Sequence, residues 1–264
     1  MKRCVFSILV AVLAIVVGCE KDNEDKEAVM TMTTSKSGNV DISLEGSGTI
    51  TIDWGDGKNE THTIEPFIDM GGWTTSNRIK YSHSYSSASS RTIRIFGENI
   101  TYLECSDNQL TDLNVSKNIA LTNLNCYGNQ LTSLDVSKNI LLLNLQCGAN
   151  QLTSLDVSKN TALMFLQCAI NQITSLNVSN NAVLNSLYCY DNQITSLDVS
   201  KNTILHFLQC SNNQLDTSEL NILLGTLHDN IFEWTDSKYI YILSNPGAYT
   251  CDKNIAKDKG WTVY

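Results

Sequence analysis

The sequence predicts a mainly β protein in which a small N-terminal β-sandwich leads into a solenoid of short coils closed by a C-terminal α/β cap. Three observations carry this. Cysteine recurs every 21 residues at Cys105, Cys126, Cys147, Cys168, Cys189 and Cys210. Asparagine keeps the same step at Asn108, Asn129, Asn150, Asn171, Asn192 and Asn213, as does leucine at Leu103, Leu124, Leu145, Leu166, Leu187 and Leu208. A fixed period carried by buried-type residues means one structural unit stacked on itself. Ahead of the repeats, Val40-Ile42-Leu44, Ile50-Ile52-Trp54, Tyr81-His83-Tyr85 and Ile93-Ile95 alternate with polar residues, the period of half-buried strands.

The chain divides accordingly into a leader (1–19), an acidic tether (20–27), the sandwich (28–99), six coils (100–215) and the closing cap (216–264). Lys2 and Arg3 precede an apolar run from Val5 to Val17. That run spans about 20 Å as a helix, short of a bilayer core, so it reads as a signal peptide. The ending Val16-Val17-Gly18-Cys19 resembles a bacterial lipobox, although Val16 stands where leucine is usual. The resemblance implies lipidation of Cys19 and stable anchoring through its acyl chains; the alternative is an ordinary cleaved leader with a bystander cysteine. The run Glu20-Lys21-Asp22-Asn23-Glu24-Asp25-Lys26-Glu27 is a solvated tether by composition. It also resembles the acidic export signal of surface-exposed lipoproteins of the Bacteroides group. The implied location is the bacterial outer membrane, lipid-anchored and facing outward.

Within the sandwich, Asp56-Gly57 between two alternating runs predicts a tight hairpin with positive φ at both central residues. Asp53-Trp54-Gly55-Asp56-Gly57 with His83-Ser84-Tyr85 resembles the signature of polycystic-kidney-disease-type sandwich domains, and the stretch from Pro66 to Asn77 reads as an insertion. At the far end, Leu220, Leu223, Leu224 and Leu227 define an amphipathic helix started by Asp216 and Glu219. A strand from Tyr239, a turn at Asn245-Pro246-Gly247 and a short helix after Asp252 complete the cap. Plugged ends are what a repeat array needs for solubility.

One repeat, residues 121–141, reads Leu-Thr-Asn-Leu-Asn-Cys-Tyr-Gly-Asn-Gln-Leu-Thr-Ser-Leu-Asp-Val-Ser-Lys-Asn-Ile-Leu. It resembles the leucine-rich-repeat consensus with cysteine in the third apolar slot. The cysteine version is similar to surface leucine-rich-repeat lipoproteins of the Bacteroides group, and the cysteine column to that of an internalin of Gram-positive pathogens. The resemblance implies a right-handed solenoid and a recognition function. Strand alternation points Leu124 and Cys126 inward and Asn123, Asn125 and Tyr127 outward. Asn129 and its equivalents turn the chain and pair with backbone groups. Ser-Lys-Asn at 116–118, 137–139, 158–160 and 200–202 makes a tight turn or a single 3₁₀ turn. Cysteines in a straight column do not converge on a metal. Their parallel Cβ vectors disfavour disulfides, so they are expected as buried free thiols.

A net charge of −9 and a pI near 4.8 argue against nucleic acid and against charge-driven adhesion to anionic lipid. His62, His83, His206 and His228 fall in unrelated elements, and no nucleophile elbow or acid pair is present. The protein is therefore expected to be non-enzymatic, a monomer, and without metal or cofactor; Asp53 and Asp56 are explained by turn formation rather than calcium. The outward strand positions are the candidate site: Tyr102, Asn125, Tyr127, Gln146, Phe165, Gln167, Tyr188, Tyr190, Phe207 and Gln209. Aromatic residues serve as recognition anchors; the alternative is that Phe165 and Phe207 only shield the neighbouring strand. Six strands make a face of roughly 400 Å², against about 800 Å² per partner in a standard protein interface. The expected ligand is thus a small or linear protein or glycan, or a protein that also touches the sandwich or the coil edges. The competing expectation is a structural or envelope-assembly lipoprotein that binds a partner from its own cell.

Overall fold

The computed structural model describes residues 27–66, 77–230 and 237–264. The expected leader with Cys19, the tether up to Lys26, and residues 67–76 of the expected insertion lie outside the described residues. In chain order, β1 (Met30–Thr34), β2 (Gly38–Gly46), β3 (Gly48–Asp53), β4 (Asn59–Ile64), β5 (Ile79–Tyr85) and β6 (Arg91–Phe96) precede the repeats. The coils then contribute β7 (Ile100–Glu104), β8 (Leu110–Asn114), β9 (Asn123–Asn125), β10 (Asn144–Gln146), β11 (Phe165–Gln167), β12 (Ser186–Tyr188) and β13 (Phe207–Gln209). Helix α1 (Thr217–Thr226), β14 (Lys238–Tyr241), α2 (Asn254–Lys257) and β15 (Trp261–Val263) close the chain.

Two sheets organise these elements. One runs β4-β3-β6-β1-β8, the other β15-β14-β13-β12-β11-β10-β9-β7-β2-β5. Both therefore cross from the sandwich into the first coil. β7 pairs antiparallel with β2, and β8 antiparallel with β1. From β7 to β15 the pairing is parallel and in register, with Leu103, Leu124, Leu145, Leu166, Leu187, Leu208, Ile240 and Val263 side by side. This is a mainly β solenoid of roughly 21-residue coils built directly onto a sheet region, with one hydrophobic core running from Met30 to Trp261.

The two asparagine columns explain why such short coils hold together. Asn129 donates from Nδ2 to the carbonyls of Cys105 and Cys126, both at 3.0 Å, and accepts at Oδ1 from Leu110 N at 2.9 Å. Asn150, Asn171, Asn192 and Asn213 repeat the pattern one coil further each time. A second column is equally buried: Asn139, Asn160, Asn181 and Asn202 each donate to a valine carbonyl and an asparagine carbonyl of the preceding coil. The turn at Ser-Lys-Asn is the one expected, but its asparagine also stitches coil to coil. Peptide groups without a sheet partner are thereby satisfied inside the core.

Two expectations need correction. Asp56-Gly57 does not form a two-residue turn: β3 and β4 do make a hairpin, but residues 54–58 connect them. Positive φ falls on Gly55 and Gly57, not on Asp56. Aspartate side chains shape this loop: Asp53 Oδ1 accepts from Gly55 N and Asp56 Oδ1 from Lys58 N. A wider loop is favoured because Trp54 and Tyr85 pack beneath it, Tyr85 donating to the Trp54 carbonyl at 2.5 Å. Second, the solenoid does not end at Leu215. Ile240, Ile242 and Asn245 occupy the leucine, cysteine and asparagine places of a further coil. Helix α1 replaces the usual back turn of that coil, which breaks the 21-residue step and hides it from the sequence. The helix starts as expected, Asp216 accepting from Glu219 N.

Candidate functional site

The six ladder cysteines are buried and free. Burial pushes the thiols of Cys126, Cys168 and Cys210 up to about 12, and those of Cys105, Cys147 and Cys189 well above the ordinary thiol value. Thiolate, the reactive form, is suppressed, so this column is packing, not chemistry. Among the described residues no group of three or more histidine, cysteine or acidic side chains is placed to hold a metal.

The outward face of the long sheet carries three columns. All ten expected residues lie on it, half-buried. They do not act alike. At the sandwich end, Tyr102 donates to Glu104 Oε2 at 3.1 Å while the Arg78 guanidinium lies 4.0 Å from its ring centroid. Asn125 donates to the same carboxylate at 2.7 Å, and Glu45 pairs with Arg78 at 3.6 Å. Burial and the carboxylate of Glu104 push the Tyr102 hydroxyl up to about 12. In the middle, amides serve the fold itself. Asn125 Oδ1 accepts from Tyr127 N, Gln209 Oε1 from Ser211 N, and Gln167 Oε1 from Gly148 N at 2.9 Å. A side chain at Gly148 would meet that Gln167 amide at 2.4 Å, so the glutamine would have to swing aside and give up this bond. Gln146 donates to Asn144.

Towards the C-terminal end the face becomes aromatic. Phe165 and Tyr188 have ring centroids 5.4 Å apart, Tyr188 and Phe207 4.7 Å, Phe207 and Tyr241 5.4 Å, and Tyr241 and Tyr264 4.6 Å. The last pair is stacked nearly parallel at 12°, and Tyr239 joins Tyr264 at 6.2 Å. This unbroken ribbon spans five strands. Tyr239, Tyr241 and Tyr264 were not among the expected site residues. The usable signal was Tyr239-Ile240-Tyr241-Ile242 followed by Asn245, which repeats the strand alternation and the spacing of Cys-x-x-Asn. Tyr127 and Tyr190 sit in the third column with the small residues Gly148 and Ala169 between them. Burial raises the Tyr190 hydroxyl, with Tyr127, Asp191 and Tyr188 adding to it.

One further property belongs to the middle of the wall. Residues 118–134, 139–155 and 160–176 contain no charged side chain, and 181–197 contain only Asp191. The other charges of these coils sit at the Asp-Val-Ser-Lys corner, where Asp135, Asp156 and Asp198 stand three residues before Lys138, Lys159 and Lys201. Each of these aspartates is held below the usual carboxylate value by the following serine N–H and hydroxyl.

Stacked 21-residue coils, a parallel strand wall, an asparagine ladder and a cysteine column together define a leucine-rich-repeat solenoid. No family model matches the chain, and no curated protein matches it. Among solved structures, it is similar to the functional domain of InlJ from Listeria monocytogenes, described as including a cysteine ladder: 37% identity, TM-score 0.44, over 60% of this chain and 37% of that one. It is also similar to a leucine-rich-repeat protein of Leptospira interrogans, with 20% identity and TM-score 0.40 over 57% of this chain and 50% of that one. An internalin (inlF) of Listeria monocytogenes matches at 18% identity and TM-score 0.21, over 55% and 74% of the two chains. The chain thus spans half or less of the length of the first two.

Proposed function

We propose that this is a non-enzymatic recognition protein, tethered by lipid at Cys19 to the bacterial outer membrane and facing outward, that binds another protein through the strand wall. The observation that carries the reading is the aromatic ribbon from Phe165 to Tyr264. Rings stacked on one another are rigid anchors that lose little entropy on binding, the property of interface hot spots. Shielding of neighbouring strands accounts for their faces, not for ring edges left half-exposed over five strands or for the hydroxyls of Tyr188, Tyr241 and Tyr264.

The same stacking favours protein over glycan. Sugars pack their C–H faces on aromatic faces, and here those faces are spent on neighbouring rings with interplanar angles of 12° to 38°. What remains outward is ring edge, hydroxyl and amide, which suits side chains and peptide groups.

The test is to screen the lipid-free chain from Glu20 onward, which keeps every described element, against arrays of extracellular proteins and of glycans. Tyr188→Ala with Tyr190→Ala should lower the protein signal at least tenfold while the unfolding midpoint shifts little. Protein binding that the double variant retains, or binding confined to glycans, overturns the reading. Outward display is tested by protease treatment of intact cells: an inward-facing, envelope-assembly lipoprotein would survive it.

A further inference from the structure

Six large apolar side chains stand exposed just before the four strands β9 to β12: Ile119, Ile140, Leu141, Leu143, Met164 and Val183, between 40% and 67% exposed. They form one patch. Ile119 and Ile140 occupy equivalent places in successive coils, as do Leu143 and Met164, whose backbones are joined by Met164 N donating to Leu143 O at 2.9 Å. Leu141 and Val183 flank them in the adjoining column, two coils apart with Ala162 between. Leu143 and Met164 immediately precede Asn144 and Phe165, so the ridge borders the strand wall along one side. Its exposed area is on the order of 600 Å², the upper end of what the largest patch of a monomer shows.

We infer that this ridge is a dimerisation surface whose occupant is the same ridge of a second copy. Two such patches bury about 1,200 Å² in total, the lower bound for a specific interface. Charge selects the partner. Each copy carries a net −9, and the ridge from Ile119 to Met164, with the middle of the wall beside it, falls in the stretches 118–134, 139–155 and 160–176 that hold no charged side chain, where two copies meet without opposing like charges. Apolar side chains of one kind also satisfy the self-complementarity that a two-fold interface demands. A lipid surface fits less well, because the ridge has no lysine, arginine or tryptophan. A two-fold axis at the ridge would set two strand walls side by side. That gives about 800 Å² of face, the share a standard protein partner needs. The consequence rests on the strand-wall reading; the association itself is measured without ligand and fails separately.

The chain from Glu20 onward should show, by sedimentation equilibrium, a mass rising towards twice the monomer between about 1 µM and about 500 µM, as a minimal interface implies. Leu141→Lys with Met164→Lys should weaken association at least tenfold, whereas 0.5 M salt, an added condition of roughly 3–5 Å screening length, should not weaken it. Tyr188→Ala should leave it unchanged. Should the double variant misfold, Ile119→Lys with Ile140→Lys serves in its place. A single monomer mass throughout, association the ridge variants weaken less than tenfold, or association lost in Tyr188→Ala overturns the proposal. So does ridge-dependent co-sedimentation with phosphatidylcholine vesicles without self-association.

Discussion

Asn245 donates from Nδ2 to the carbonyl of Cys210 at 3.0 Å, the bond that each ladder asparagine makes to the coil before it. It also accepts from Leu215 N at 3.2 Å, completing the ladder outside the strict repeat. At the other end, Asn108 accepts from Asp41 N and donates to Asp41 O at 2.6 Å, so the ladder is tied into the β2 strand of the sandwich. The aromatic ribbon depends on the C-terminal tie, because Tyr241 and Tyr264 reach the wall only if that last coil is in register.

Asn150→Ala should therefore cost about 1–3 kcal/mol, since it orphans the buried Leu131 N–H, while the carbonyls of Cys126, Cys147 and Gly148 keep their bonds from Asn129, Asn171 and Gly128 N. Asn245→Ala should cost a comparable amount if the last coil is integral. Urea unfolding followed by circular dichroism measures both; a loss below about 0.5 kcal/mol at Asn245 would show the last coil to be a dispensable end.

The cysteine column makes a second prediction. With thiols pushed to about 12 or higher by burial, the six ladder cysteines should resist alkylation at pH 8 in the native protein. Cys251, partly buried, should react first. In denaturant all seven cysteines of the chain from Glu20 onward should label, as read by intact mass. Labelling of ladder cysteines without unfolding would mean that the coils open singly. Cys168→Ser should destabilise by about 1–3 kcal/mol, a hydroxyl replacing a small hydrophobe in an apolar column.

The solenoid was legible because every buried position of a coil recurs at one spacing, so Leu124, Cys126 and Asn129 each vote six times. Legibility failed where the spacing did. Helix α1 stretches the step from Leu208 to its neighbour Ile240 to 32 residues, and Tyr239, Tyr241 and Tyr264 were lost with it. The second asparagine ladder was periodic too, but Ser-Lys-Asn is a sufficient turn signal by itself, and burial of Asn139 cannot be inferred from a polar triplet. The apolar ridge escaped because Ile140, Leu141, Leu142 and Leu143 form a continuous run; only the coil geometry buries Leu142 and exposes the other three.

Acid should unfold the protein through its aspartates. Asp135, Asp156 and Asp198 have folded values held below the ordinary 3.8 by hydrogen bonds from the serine two residues on. A depressed folded value contributes stability that is present above 3.8 and is lost as pH falls below it. Asn114 and Asn177 already fill the same place and accept the same serine N–H at 2.9 and 3.0 Å. Asp135→Asn, Asp156→Asn and Asp198→Asn together should therefore keep the turn and flatten the fall in stability below pH 3.8. An unchanged acid limb in urea titrations at several pH values would place the sensitivity elsewhere, with Asp56, depressed chiefly by its hydrogen bond from His83, the next group to replace.

Ile170 is a β-branched residue at φ 56°, in the left-handed region, and exposed. The column it belongs to is left-handed in every coil: Asp107, Gly128, Ala149, Asp191 and Asn212 have φ between 49° and 69°. Glycine, asparagine and aspartate tolerate that conformation, whereas isoleucine meets its own carbonyl. The geometry is imposed by the ladder, since Ile170 N donates to Tyr190 O and Ile170 O accepts from Asn150 N. Ile170→Gly or Ile170→Asn should raise stability by about 1 kcal/mol, seen as a higher urea midpoint. Because Ile170 follows Ala169 and its N–H is bonded to the Tyr190 carbonyl, the same variants probe the wall. A stabilised variant with weaker ligand binding would mean that strain is kept at this position for recognition, and a stabilised variant that binds equally well would confine the contact surface to the ribbon.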